Sequence, residues 1–379
     1  MLGGSERLPT DHRGRPDHVG SRRRPVRLPV ARLLLLVLAL APVGYALTLP
    51  EPQRPAGAAP VVAQMTVKPT WNGPAPVARP AALPDGTAYT PRLYLGANES
   101  VGVAPTPDRS AVRVLARTGD RVAELHRVAA TEGPQFDAFA ASGDTLVWAL
   151  TSGANPHTAL WRANWRTGAR ATQVVANIGD VSFTGGAFDL VLNGGRISWA
   201  TDSGTGTDVK SIALTGGQIT TKKLTGQYVL TVPPFAVNLD GGRGQPVQLV
   251  DLSTDRRTSV PTVSAEIASC DPHLCRLGVI NDNVLVRLDV QRPDGSQRRR
   301  IAGNEATPIT TEVALIDRWV ALTTDAGGQG TGLSLHDLTT GKTELVATDI
   351  ANAQGRGAML WWSDADTTTW YALDLRTLP

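Results

Sequence analysis

Apolar and polar residues alternate on both sides of a short turn at residues 333–346, which read LSLHDLTTGKTELV. A period of two is typical of half-buried β-strands, because successive side chains of a strand point to opposite faces of the sheet. The Thr-Thr-Gly-Lys stretch between the two runs predicts a tight turn, in which Gly341 supplies a positive φ angle. The segment is therefore predicted to be a β-hairpin.

The same hairpin pattern recurs along the chain. Successive turns lie 37 to 49 residues apart, which is the length of a four-stranded β-propeller blade. The seven units are residues 112–128, 160–175, 210–224, 247–260, 286–301, 333–346 and 370–379, of which the last contains a single strand.

A second recurring pattern lies between these hairpins and consists of two short apolar runs joined by a Gly or Asp turn. It is found at residues 136–150, 188–200, 265–280, 312–322 and 357–363. Four of the second runs contain a tryptophan at a matching place: Trp148, Trp199, Trp319 and Trp361. One indole per repeat suits the packing of neighbouring sheets, so we interpret these residues as core rather than as a ligand-stacking platform.

Two inner and two outer strands, repeated seven times, predict an all-β fold, a seven-bladed β-propeller. Six blades with one irregular unit is the alternative. The last unit lacks an outermost strand, and an unpaired edge at that place favours association between molecules. Residues 61–67, VVAQMTV, alternate well enough to form a strand, so we expect them to close the ring.

Two turns resemble those of known propeller families. Residues 293–301, PDGSQRRRI, resemble the DGS-x-x-RR turn of TolB-type propellers. Residues 338–342, LTTGK, resemble the TGK hairpin of quinoprotein-like and WD40-like propellers, although the Gly-His and Trp-Asp dipeptides of WD40 repeats do not recur at consistent positions. The resemblance covers the architecture of residues 92–379. It implies a TolB-like propeller that is secreted or attached to a membrane outside the cytoplasm.

The start of the chain has the features of an export signal. Eight arginines and three acidic residues give residues 1–32 a balance of +5, so the formal charge of +3 leaves −2 for the remainder. We predict a basic, disordered tail at residues 1–27 and either a signal anchor or a signal peptide helix at residues 28–49. The protein is then expected at the cell membrane, as a single-pass protein with its C-terminal domain outside the cytoplasm, or else secreted.

The remainder divides into a linker and a propeller. Ten of the 27 prolines fall between Pro50 and Pro91, which predicts an extended Pro/Ala-rich linker over residues 50–90. The propeller is assigned to residues 91–379. Because this body is mildly acidic and has no basic stripe, we do not expect nucleic acid as a partner.

Cys270 and Cys275 are the only cysteines and flank the sequence Asp-Pro-His-Leu. Asp271 and Pro272 favour a turn, which would place the two sulfur atoms opposite each other in a hairpin. In an exported protein this pattern predicts a disulfide. The alternative is a metal site that includes His273, but a fourth ligand at suitable spacing is missing, and no metal is predicted.

Four acidic residues are predicted at or near the start of the first strand of a unit: Asp137, Asp189, Glu266 and Glu312. The first strand of each propeller blade lines the central channel. We therefore expect these carboxylates to meet at one mouth of the channel, where they would bind a cation or a basic group of a ligand. The alternative is that they accept backbone hydrogen bonds or remain solvated.

The sequence contains none of the motifs that identify common catalytic sites. The six histidines are scattered, and Gly-x-Ser-x-Gly, His-Glu-x-x-His and the full phosphate-binding signature Gly-x-x-x-x-Gly-Lys-Ser/Thr are absent. No catalytic residue and no cofactor is predicted. The favoured function is a non-catalytic binding or scaffolding module for a protein or cell-envelope ligand. The alternative is a propeller enzyme, either a lyase, a glycan-acting hydrolase or a quinoprotein, which would require channel carboxylates of shifted pKa beside a His, Arg or Tyr.

Overall fold

A computed structural model describes residues 70–379, except 155, 180, 182, 185, 240–245, 264, 310–311 and 326–329. The described residues form 28 strands in seven four-stranded antiparallel sheets, with two short 3₁₀ helices at Ala130–Glu132 and Leu375–Thr377. The predicted all-β, seven-bladed propeller is confirmed, and the six-bladed alternative is wrong.

Each blade is numbered by its place in the chain, and its strands are given from the innermost outward. Blade 1 contains β2 (Thr90–Gly96), β3 (Glu99–Pro105), β4 (Ala111–Thr118) and β5 (Arg121–Ala129). Blade 2 contains β6 (Gln135–Ser142), β7 (Thr145–Ser152), β8 (His157–Asn164) and β9 (Thr172–Val175). Blade 3 contains β10 (Val191–Asn193), β11 (Arg196–Asp202), β12 (Gly206–Ala213) and β13 (Thr220–Thr225).

The next three blades repeat this order. Blade 4 contains β14 (Tyr228–Leu230), β15 (Phe235–Asn238), β16 (Val247–Asp251) and β17 (Arg257–Val260). Blade 5 contains β18 (Glu266–Cys270), β19 (Cys275–Asn281), β20 (Val284–Gln291) and β21 (Arg299–Gly303). Blade 6 contains β22 (Ala306–Pro308), β23 (Trp319–Asp325), β24 (Thr331–Asp337) and β25 (Thr343–Ala347).

Blade 7 is assembled from both ends of the described chain. Its inner strands are β26 (Ile350–Arg356), β27 (Met359–Asp364) and β28 (Thr369–Asp374), and its outermost strand is β1 (Val77–Pro80). The ring is thus closed by an N-terminal strand, as expected, but by a different segment. Residues 61–67 lie outside the described residues, and Val77–Pro80 occupies the position beside β28 that we assigned to them.

The linker predicted at residues 50–90 therefore includes a strand of the propeller. The prolines that suggested a linker are compatible with β1, because an outermost strand does not need every amide as a hydrogen-bond donor. Arg79 of β1 also joins blade 7 to blade 1. Its guanidinium donates a hydrogen bond of 2.6 Å to the side-chain oxygen of Asn98 in blade 1.

Residues before β1 extend the closure to blade 6. The backbone N–H of Thr70 donates to the carbonyl oxygen of Leu345 at 3.1 Å, and the N–H of Leu345 donates to the hydroxyl oxygen of Thr70 at 3.0 Å. Trp71 packs against the apolar core shared by blades 6 and 7. The segment from Thr70 to Pro80 thus joins two consecutive blades.

The core lies in the spaces between neighbouring blades. The four tryptophans singled out in the sequence lie in second strands, namely β7, β11, β23 and β27, and none is more than 8% exposed. Each belongs to a cluster of buried apolar side chains that spans adjacent blades. This placement confirms their interpretation as core residues.

The tail predicted at residues 1–27 and the anchor or signal peptide predicted at residues 28–49 lie outside the described residues. Within the part that the structure describes, no helix has the length and apolar character needed to span a membrane.

The two cysteines occupy opposing positions in the hairpin of β18 and β19 and form a disulfide, with 4.1 Å between their Cα atoms. The Asp271 carboxylate organises the turn, because it accepts hydrogen bonds from the backbone N–H groups of His273 and Leu274 at 2.7 and 2.8 Å. With both sulfur atoms in the disulfide, neither thiolate is left to bind a metal beside His273.

Candidate functional site

The innermost strands of blades 1 and 2 carry β-bulges that direct charged side chains into the channel. In β2 the pairing with β3 passes from Pro91 to Leu93 and skips Arg92. In β6 the pairing with β7 passes from Phe136 to Ala138 and skips Asp137. A bulge changes the direction of the side chain at the extra residue. Arg92 and Asp137 both line one cavity of about 140 Å³ between the innermost strands.

Arg356 reaches across this channel from the end of β26 in blade 7. One terminal nitrogen, Nη1, donates a 2.6 Å hydrogen bond to the carbonyl oxygen of Phe139 in β6, and Nη2 donates a 3.3 Å bond to that of Leu190, just before β10. Burial lowers the pKa of Arg356, and the nearby carboxylates of Glu312 and Asp189 oppose that shift. One side chain thus connects blade 7 with blades 2 and 3.

A larger cavity of about 530 Å³ adjoins the first, since both are lined by Gly186 and Ala187. Asp189 and Glu312 contribute carboxylates to its wall. Much of the rest of the lining is apolar or aromatic and includes Phe183, Phe188, Tyr228, Val229, Leu230, Val237 and Leu239. The two cavities together offer charged groups beside an apolar surface.

Asp189 is held by the loop that precedes β10. Its carboxylate accepts hydrogen bonds from the hydroxyl of Thr184 at 3.0 Å and from the backbone N–H of Gly186 at 3.1 Å. These bonds fix the carboxylate at the wall of the larger cavity. Asp189 thus lies at the wall of the larger cavity, and its binding of a cation or a basic ligand group stays a prediction.

Glu312 also reaches the larger cavity, but its position in the chain differs from our prediction. The first strand of blade 6 is β22, Ala306–Pro308, and Glu312 follows it in the connection to β23. Positive φ angles at Ile316 and Asp317 reverse the chain there, so the apolar run at 313–315 is part of a turn and not a strand.

The environment of Glu312 changes its ionisation. Its Oε1 atom accepts a 2.8 Å hydrogen bond from the backbone N–H of Gly357, at the turn between β26 and β27. Burial raises the pKa of the Glu312 carboxyl, while the hydrogen bond from Gly357 and the charge of Arg356 act in the opposite direction. Glu312 is therefore a carboxyl group of shifted pKa beside an arginine.

The prediction that Glu266 lies at the channel mouth is wrong. β18 pairs with β19 without a bulge, so Glu266 stays in regular register opposite Val279. Its side chain is 1% exposed, pairs with the Arg298 guanidinium and accepts a 2.9 Å hydrogen bond from the Val263 N–H. A buried carboxylate requires such partners, so Glu266 has the structural role that we gave as the alternative.

The same ion pair lies in the turn that resembles TolB-type propellers. Arg298 fills the second variable position of the DGS-x-x-RR pattern, and its guanidinium contacts the Asp289 carboxylate at 2.7 Å as well as Glu266. Arg298 therefore stabilises blade 5, and it does not line either channel cavity.

Two arginines of the channel were missed, because the sequence was searched for carboxylates alone. Arg92 makes no hydrogen bond and no ion pair with any residue that the structure describes. Burial lowers the pKa of Arg92, and the nearby Asp137 carboxylate opposes that shift. An alignment of the repeats that matched Arg92 with Asp137 would have revealed the first arginine.

Asp137 also lines a further, polar cavity of about 450 Å³. The hydroxyl of Thr151 donates to its carboxylate at 2.9 Å, and His157 and Thr158 line the same space. Across the residues that the structure describes, no three His, Cys, Asp or Glu side chains are grouped so that they could hold a metal ion.

Comparison with known proteins identifies the fold. No family model matches the sequence, and no curated protein matches it. A puromycin-hydrolyzing peptidase of Mycobacterium tuberculosis matches with a TM-score of 0.52 and 10% identity, over 78% of this chain and 54% of the peptidase. A puromycin hydrolase variant matches with a TM-score of 0.48 and 14% identity, over 74% and 51% of the two chains.

TolB from Acinetobacter baumannii matches with a TM-score of 0.40 and 11% identity, over 66% of this chain and 63% of TolB. The chain thus spans about half the length of the peptidases that it resembles. At these identities the likeness concerns architecture alone, and the resemblance to the TolB-like family in particular stays a prediction. The chain is similar in fold to part of the puromycin-hydrolyzing peptidase.

Proposed function

We propose that this protein is a non-catalytic binding or scaffolding module that acts outside the cytoplasm and holds its ligand in the central channel of the propeller. The observation that carries the proposal is the meeting of charged side chains from five blades around two adjoining cavities. They are Arg92, Asp137, Asp189, Glu312 and Arg356.

The dimensions and lining of these cavities support binding. Ligand sites are commonly concave, largely apolar and some hundreds of Å³ in volume, with a few placed polar groups. The larger cavity, about 530 Å³, has this character, and the smaller one adds arginines at its end. The partner we propose is a protein or a cell-envelope ligand, and the location at the membrane or in the secreted fraction depends on the segment predicted at residues 28–49.

One observation favours the enzyme as a second candidate. Burial raises the pKa of Glu312, and this carboxyl lies near Arg356. A carboxyl group of raised pKa is suited to general acid catalysis. Of the enzyme classes considered, a carboxyl group of raised pKa favours a lyase or a glycan-acting hydrolase over a quinoprotein.

Affinity capture with the full-length chain tests the proposal. The immobilised protein is incubated with cell-envelope extracts, and the retained material is compared with that retained by Asp189→Asn and Glu312→Gln. The control is Asp366→Asn, an exposed aspartate in the turn between β27 and β28. We expect a ligand that the wild type and the control retain and the channel variants lose.

Retention of the same material by all four proteins would contradict a site in the channel. The enzyme becomes the better account if the retained ligand is chemically converted by the wild type and is bound but not converted by Glu312→Gln. Glutamine keeps the acceptor oxygen for Gly357 and removes only the titrating proton, so that variant separates binding from acid catalysis.

A further inference from the structure

The smaller cavity is lined by two arginines and one carboxylate. Arg92, Arg356 and Asp137 all line it, together with the neutral amide of Gln354. Arg356 also faces the Glu312 and Asp189 carboxylates of the adjoining cavity. The charged pair that is left to a ligand here consists of Arg92 and Asp137, and both of these side chains are exposed.

The two arginines differ in the hydrogen-bond acceptors that their guanidinium groups contact. The Arg356 guanidinium donates to two backbone carbonyl oxygens, at 2.6 and 3.3 Å, and is fixed by them. Arg92 has no such partner among the described residues, and its neighbour Asp137 instead accepts a hydrogen bond from the Thr151 hydroxyl. The fork of N–H donors on Arg92 is therefore the group available to a ligand.

The chemistry of these groups selects the kind of anion. A guanidinium binds a planar carboxylate through two parallel hydrogen bonds, which gives both strength and orientation. A monoanion matches the single charge of Arg92, whereas a dianionic phosphate would place surplus negative charge beside Asp137. The cavity volume of about 140 Å³ admits a carboxylate and the first atoms attached to it.

The body of such a ligand has a place in the larger cavity. The two cavities adjoin at Gly186 and Ala187, which line both and carry no bulky side chain. Beyond it, Phe188 and Tyr228 offer apolar and aromatic surface. A molecule with its carboxylate at Arg92 extends from there along this wall.

We infer that the channel binds an organic carboxylate, with the carboxylate group on Arg92 and an apolar body in the cavity of about 530 Å³. This inference rests on the proposed function, which places the ligand in the channel. The same chemistry is offered by the C-terminus of an apolar peptide and by a free alkyl carboxylic acid.

Calorimetric titration of the full-length chain tests the inference with two matched pairs of probes. One pair is hexanoate and hexanamide, and the other is N-acetyl-Leu-Leu with a free carboxylate and the same dipeptide with a C-terminal amide. In at least one pair we expect the acid to bind about tenfold more tightly than the amide, because an ionised acceptor strengthens the hydrogen bonds. The pair that shows this difference identifies the source of the carboxylate.

The protein variants isolate the role of Arg92. We expect Arg92→Gln to weaken binding of the acid by about tenfold or more and to leave binding of the amide within about twofold. The control is Arg121→Gln, which removes the same charge from the outermost strand of blade 1, where Arg121 is exposed. Thermal unfolding of each variant verifies that the propeller remains folded.

Three results would overturn the inference: neither acid binds at about 10 mM, acid and amide bind equally, or Arg92→Gln binds the acid as tightly as Arg121→Gln does. Its failure is distinct from failure of the proposed function. If capture from envelope extracts still depends on Asp189 and Glu312 while no acid binds, the carboxylate assignment alone is wrong. If an acid binds through Arg92 while no envelope ligand is retained, the proposed function alone is wrong.

Discussion

The guanidinium of Arg356 in blade 7 donates a 2.6 Å hydrogen bond to the carbonyl oxygen of Phe139 in blade 2, across the central channel. The innermost strand of a blade has no strand partner on its channel side, so a carbonyl that points into the channel must find another donor. Arg356 supplies that donor at two positions. Arg356 therefore contributes to the stability of the propeller ring as well as to the candidate site.

Replacement of Arg356 by methionine tests this contribution. Methionine keeps an apolar stem of similar length and removes every donor, so we expect the free energy of unfolding to fall by about 1–3 kcal/mol. Urea denaturation measures the change. Arg121→Met, on an exposed outer strand, is the control and should alter the stability by less than about 0.5 kcal/mol. Equal stabilities of the two variants would contradict a structural role for Arg356.

Removal of β1 should open blade 7. A chain that begins at Ala81 lacks the four residue pairs between β1 and β28, whereas a chain that begins at Thr70 keeps them. At about 1 kcal/mol for each net hydrogen bond, we expect the shorter chain to lose about 2–4 kcal/mol of unfolding free energy.

The exposed edge of β28 should also promote association of the shorter chain. Urea denaturation and sedimentation velocity measure the two effects. A monomeric chain beginning at Ala81 with the stability of the longer chain would show that the ring does not depend on β1.

Reduction of the disulfide should destabilise the propeller modestly. The bond between Cys270 and Cys275 closes a loop of a few residues, for which the chain-entropy relation gives about 2 kcal/mol. We expect a reductant to lower the urea midpoint of the wild type and not that of the double variant Cys270→Ala, Cys275→Ala. Free-thiol titration of the unfolded, unreduced protein should detect no thiol, and two thiols per chain would refute the bond.

The ionisation of Glu312 should make stability depend on pH. Folding raises its pKa above the ordinary value of 4.5, so the folded protein keeps a proton that the unfolded chain releases. The free energy of unfolding due to this group therefore falls as the pH rises from about 4.5 through the folded-state pKa, and the loss is complete above that value.

Glu312→Gln cannot titrate, so its stability relative to the wild type should increase with pH over the same window. Urea midpoints between pH 4 and pH 8 measure the difference. Glu132→Gln is the control, since Glu132 is exposed in the 3₁₀ helix after β5 and should follow the wild-type curve. Parallel curves for Glu312→Gln and the wild type would contradict a raised pKa.

The third and fourth strands of the blades were predictable because the apolar alternation and the turn residues that indicate them are both local features of the sequence. In β24 and β25 the apolar alternation and the turn at Gly341 lie within one short stretch, and the structure pairs Leu335 with Glu344 as that turn requires. The same combination identified the corresponding hairpins of the other blades and thus the number of blades.

The parts that were mispredicted depend on distant residues. The pairing of Val77 with Ala372 joins the two ends of the described chain, and a four-residue strand beside prolines carries little local signal of it. Glu266 is held by Arg298, 32 residues later, in a contact that strand periodicity does not reveal.

The candidate site was predictable only in part. Whether a charged side chain at the start of an innermost strand enters the channel depends on a bulge, and a bulge is a property of the register between two strands. Asp137 has one and Glu266 does not, although both occupy similar places in the sequence pattern. The sequence pattern alone therefore could not separate the two.

The closure of blade 7 by β1 also determines how the propeller responds to mechanical load. Tension on the chain from its N-terminal side reaches the propeller through Thr70 and then β1, and β1 lies antiparallel to β28 along four residue pairs. A pull along β1 loads these hydrogen bonds together in shear, rather than one after another as in peeling. The strand that completes the ring is thus also the place where an N-terminal tether would transmit force.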